Sequence, residues 1–104
     1  MSEYTLIISE RFTQEFEKAI SYKEEHGTYK SNIEKFKKEV KAKIRSLKTS
    51  PRLGVDVSSR VSFETKMKYL LVDNYLIFYE ITGVDEVTIY RFISARSNWQ
   101  RMLL

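Results

Sequence analysis

The chain has 104 residues, 42% hydrophobic and 31% charged, with three Gly, one Pro and no Cys. That suffices for one core spanning residues 1–104 and not for two, and it excludes collagen-like, linker-like, disulfide-scaffold and thiol-nucleophile readings together. Eighteen Lys and Arg against 14 Asp and Glu leave a net charge of +4; with no apolar run near the roughly 18 residues of a membrane span and no signal-peptide h-region, the expected location is the cytoplasm, away from membranes.

Tyr4 to Ser9 predicts a short strand, because β-branched residues dominate a run too short for a helix. Ser9 can cap a helix whose stripe is Phe12, Phe16, Ala19, Ile20 and the Lys23 stem, and Gly27 suits the left-handed residue that closes it. Ser31 and Glu34 match a capping box for a second helix. Its stripe is Ile33, Phe36, Val40, Ile44 and Leu47, with lysines on the outer face, and Thr49-Ser50-Pro51 ends it. After Gly54 the period changes to two. Lys66 to Val72, the turn Asp73-Asn74 and Tyr75 to Ile81 predict a hairpin. Val87 to Ile93 predicts the next strand, Val55 to Val61 a weaker one, and Arg96 to Leu104 an amphipathic tail helix. The expected fold is therefore two-layer α+β: an N-terminal strand, a helical hairpin packed on a mainly antiparallel sheet of four or five strands, and a short C-terminal helix. The sheet face away from the helices is expected to be open, and function is expected there.

Charge is unevenly placed. Seven basic residues and one acid occupy 35–48, and residues 87–104 hold three Arg and no acid. That distribution favours nucleic acid or an acidic polypeptide as partner. A lone His26 at a helix end reads as a cap-side imidazole, and without cysteines or clustered carboxylates no metal and no cofactor is expected. No nucleophile–His–acid set and no phosphate-cradling glycine loop can be assembled. What remains is cations interleaved with aromatics: Lys66 and Lys68 two apart, Arg91 in mid-strand, then Arg96, Trp99 and Arg101. The plainer reading makes the lysines a solvated edge and the aromatics core.

Four segments, Tyr4 to Phe12, Leu47 to Gly54, Asn74 to Ile81 and Arg91 to Trp99, together resemble the RelE/ParE superfamily, the toxin halves of type II toxin–antitoxin (plasmid-stabilisation) modules. The resemblance implies a cognate acidic antitoxin and one of two activities: RelE-like cleavage of mRNA on the ribosome, or ParE-like inhibition of DNA gyrase without nuclease activity. It places Lys68 where many members have an Arg, Tyr75 and Tyr79 at a pair of strand tyrosines, Arg96 at the basic residue after the last strand, and Trp99 at a terminal aromatic. Where many members carry His-Gly-Arg-Arg-Asp, this chain has Ser94-Ala95-Arg96-Ser97-Asn98 and lacks the His and one Arg.

Metal-free RNA cleavage needs the 2′-hydroxyl deprotonated and the phosphorane charge stabilised. Arg91 and Arg96 fit only the second task, and Lys66 and Lys68, flanked by arginines, are the candidate bases. The expectation is thus an endoribonuclease with Lys68, Arg91 and Arg96 catalytic, and with Lys66, Lys68, Tyr79, Arg96, Trp99 and Arg101 binding nucleic acid. The alternatives are a gyrase inhibitor and a non-toxic binding module.

Overall fold

The computed structural model describes residues 3–103; Leu104, the last residue of the expected tail helix, lies outside them. Strand β1 (Thr5–Ile8) runs into α1 (Glu10–Glu25) through Ser9, whose hydroxyl oxygen accepts from the Phe12 N–H and donates to the Tyr90 carbonyl. One side chain therefore caps the helix and ties its start to a distant strand. Gly27 takes φ +74°, the left-handed geometry that an L side chain resists, and a four-residue link leads to α2 (Lys30–Ser46).

The expected capping box at Ser31 and Glu34 does not form. The chain turns helical one residue before Ser31: Tyr29 is the cap, its carbonyl accepts from Asn32 and Ile33, and no side chain caps the end. Glu34 pairs instead with Lys37 at 3.4 Å. The apolar stripe is as read, with Ile33, Phe36, Val40 and Leu47 buried.

Beyond Pro51 come β2 (Val55–Asp56), a single 3₁₀ turn at Val57–Ser59, β3 (Lys68–Val72), β4 (Tyr75–Gly83), β5 (Glu86–Ser94) and α3 (Trp99–Met102). The sheet order is β1-β5-β4-β3-β2, with β1 parallel to β5 and the other neighbours antiparallel. Asp73 supplies the positive φ, 54°, that closes the two-residue β3–β4 turn. Three expected spans shorten. Lys66 stands before β3, because Met67 already bonds to Thr65 and Val57. The weak strand at Val55 to Val61 keeps only two strand residues before the 3₁₀ turn. The tail makes one helical turn.

The helices cover one face of the sheet. Phe12, Phe36, Val40 and Leu47 pack there on Ile77, Tyr79, Ile89 and Phe92. The other face, expected to be open, is largely closed by a second core: Leu76, Phe78 and Ile93 lie under Val57 and Trp99, with Val61, Met67 and Leu103 packed around them. The reason is hydrophobic. β4 presents apolar residues at successive positions, Leu76-Ile77-Phe78-Tyr79, so both of its faces need cover. The 57–67 segment and the terminal turn provide it.

Candidate functional site

A bulge in the β4–β5 ladder decides where the cations go. Phe78 pairs with Arg91, but the next residue, Tyr79, pairs with Ile89, leaving Tyr90 as the extra residue. Without the bulge, strict alternation would keep Arg91 on the face of Ile89; with it, Phe92 joins the helix-side core and Arg91 is turned to the opposite side, at the strand edge that β1 no longer covers. Glu15 of α1 meets it there. The Arg91 Nε lies 3.0 and 3.1 Å from the two Glu15 carboxylate oxygens and Nη2 lies 2.9 Å from Oε2, while Nη1 donates to the Met102 carbonyl at 3.0 Å. Arg91 is only 8% exposed. Its guanidinium is spent on holding α1, β5 and the terminal turn together.

Lys68 lies elsewhere. Its register partner is Tyr79, and the Arg91 partner Phe78 pairs with Tyr69, so Lys68 and Arg91 leave the sheet from opposite faces. The Lys68 Nζ is 2.6 Å from Asp56 Oδ1. The Lys68 side chain is thus held at a β2 carboxylate, away from Arg91. The expected patch of Lys68, Arg91 and Arg96 on one face is therefore not assembled.

Two expected stacking residues are also occupied. Tyr79 is fully buried; its hydroxyl donates to the Pro51 carbonyl at 2.8 Å and accepts from the Gly54 N–H at 2.9 Å. Burial first, then the Asp56 carboxylate, pushes its pKa up, while the Gly54 N–H pulls it back. Trp99 is 8% exposed and packs against the Tyr69–Phe78 pair, with centroids 5.8 and 5.5 Å away. Lys66, Arg96 and Arg101 remain exposed.

Arg96 does border a site. A cleft of about 760 Å³ opens between α1, the β3–β4 turn and the segment after β5. Its floor is aromatic: Tyr75 and Phe92 stack at 4.8 Å with planes 4° apart. Its charged lining is Lys18, Lys23 and Arg96 together with Glu15 and Asp73. Lys23 Nζ sits 4.5 Å above the Phe36 ring and 3.4 Å from Asp73. Burial first, then Asp73 and Tyr22, pushes the pKa of the Tyr75 hydroxyl up from its ordinary value. Apolar ground bordered by cations, with Lys18 and Arg96 not paired to its carboxylates, can receive an amphipathic acidic surface. Among the described residues no three His, Cys, Asp or Glu come together to hold a metal ion, and no helix is long and apolar enough to cross a membrane.

Glu15 and this cleft were missed in the sequence. Glu15 could have been found: it lies three residues after Phe12 and four before Ala19, on the apolar stripe, where a carboxylate requires a cation. The cleft had no such signal, since it joins residues from opposite ends of the chain.

A helical hairpin across one face of a sheet ordered β1-β5-β4-β3-β2 defines a RelE/ParE-type α+β toxin fold. The sequence model of the family described as "ParE toxin of type II toxin-antitoxin system, parDE" matches residues 6–99, and the chain belongs to that family. Among solved structures, one titled "Chromosomal ParDE TA system from P. aeruginosa" aligns with a TM-score of 0.68 at 11% identity, over 88% of this chain and 95% of that one. No curated protein matches.

Proposed function

We propose that this toxin arrests growth by occupying a protein target, DNA gyrase, rather than by cutting mRNA. The dispersal of the cations carries this reading. A nuclease needs a base and charge stabilisers converging within hydrogen-bond reach of one phosphate. Here Lys68 and Arg91 stand on opposite faces, each held by its own carboxylate. An inhibitor needs only a shaped surface. The aromatic cleft rimmed by Lys18, Lys23 and Arg96 suits that task.

The partner that restrains the toxin is a cognate antitoxin with an acidic segment. The positive net charge and the cationic rim favour such a chain, and family membership supports a paired protein.

The test is a side-by-side assay of the purified protein. Inhibition of gyrase supercoiling with intact message in a translation reaction is the expected result. Shortened message on ribosomes with unimpaired supercoiling would reverse the reading. Expression without any growth arrest would favour a non-toxic binding module.

A further inference from the structure

A second concavity, of about 530 Å³, lies between the 59–63 segment and α3. Arg60 comes to it from just beyond the 3₁₀ turn, and Arg101 from α3. Both segments are anchored by buried residues of the second core, Val57 and Trp99, with Val61 packed against it, so the two arginines are carried on supported backbone. Neither guanidinium is engaged by any described side chain. The other basic residues with ion partners are spoken for: Lys23 by Asp73, Lys37 by Glu34, Lys68 by Asp56 and Arg91 by Glu15.

The wall chemistry sets this cleft apart. No carboxylate lines it, whereas three other clefts each hold at least one: Glu15 and Asp73, Glu64, and Glu39 and Asp73. Ser62 and Gln100 line it and add neutral donors, and Phe63 adds an apolar wall. Ser59 does not add a donor, because its hydroxyl donates to the Asp56 carbonyl at 2.7 Å.

The geometry points to a binding site for a phosphate ester. Two arginines on one cleft favour phosphate over carboxylate. A carboxylate has two oxygens, and this molecule shows one guanidinium satisfying both, at Glu15 and Arg91. A phosphate monoester has three terminal oxygens, enough for two forks and a neutral donor, and a strand offers successive phosphates, one to each arginine. Phe63 gives the attached sugar or base an apolar surface. The ester can come from a nucleic-acid strand or from a free nucleotide. This site is separate from the cleft assigned to target binding and does not rest on that assignment.

The experiment is fluorescence anisotropy of the wild-type protein with a labelled oligothymidylate at low salt, with AMP, an uncharged methylphosphonate strand and polyglutamate as competitors. The expected result is binding that the methylphosphonate strand and polyglutamate fail to displace. Displacement by AMP assigns the site to a nucleotide, and its failure assigns the site to a strand. The double variant Arg60→Gln, Arg101→Gln should bind at least about tenfold more weakly, and its slope of log K against log salt should fall by about 1.4, at about 0.7 ion per contact for single strands. The pair Lys38→Gln, Lys41→Gln, on the outer face of α2, should bind like wild type. Both Arg60 and Arg101 are exposed, so the variants are expected to fold, and circular dichroism checks this. The proposal is overturned if neither phosphate probe binds, if the arginine variant binds as wild type does, if the lysine variant loses as much, or if polyglutamate competes equally.

Discussion

The Glu15 carboxylate bonds to the Arg91 guanidinium and also accepts the Phe92 N–H at 3.0 Å. It takes the place of a neighbouring strand at the point where β1 has ended, and it neutralises a buried cation in the same stroke. Glu15→Ala should therefore lower stability by about 3–5 kcal/mol, because it strands Arg91 at low exposure and frees a strand N–H. Urea denaturation measures the loss. A double-mutant cycle with Arg91→Ala should give a large coupling energy; independent effects would contradict the contact.

Tyr79 and Gly54 form a second dependent pair. A Cβ on Gly54 would collide with the Tyr79 hydroxyl, which is buried and bonded to Pro51 and to Gly54 itself. Gly54→Ala should cost about 1–3 kcal/mol through overpacking, and adding Tyr79→Phe should recover part of it by removing the oxygen. Tyr79→Phe alone should cost about 1–3 kcal/mol, since two buried backbone groups lose their partner.

The same tyrosine gives stability an alkaline limb. Its folded-state pKa is raised above the ordinary value of about 10, so the folded chain keeps a proton that the unfolded chain loses. Its contribution is complete below the unfolded pKa and declines as pH rises toward the folded one. Tyr75 and Tyr90 are raised in the same direction, chiefly by burial. Denaturation midpoints should fall with pH above about 10, and less steeply in Tyr79→Phe.

Trp99→Phe tests whether the indole acts as core or as contact surface. With the ring packed against the Tyr69–Phe78 pair, the change should cost roughly 1–2 kcal/mol while inhibition by the folded protein persists. Abolished inhibition with unchanged stability would make Trp99 a contact residue.

Arg96→Glu addresses the cleft. The side chain is exposed and holds no ion partner among the described residues, so stability should change by less than about 0.5 kcal/mol. Gyrase inhibition should fall at least about tenfold if the rim meets the target. Unchanged inhibition would move the target surface elsewhere.

Local signals set the elements. The Phe12, Phe16, Ala19 stripe, the Ser9 cap, Gly27, the Asp73-Asn74 turn and the α+β class were all legible, because each depends on neighbours within a few residues. Side-chain partners were not. The Tyr90 bulge turns Arg91 from one face to the other, and the contacts that capture Arg91, Lys68 and Tyr79 come from residues 76, 12 and 28 positions away. Periodicity records which face of an element is apolar. Which carboxylate meets which cation depends on ladder register and on the path of the covering loops, and only the folded chain fixes these.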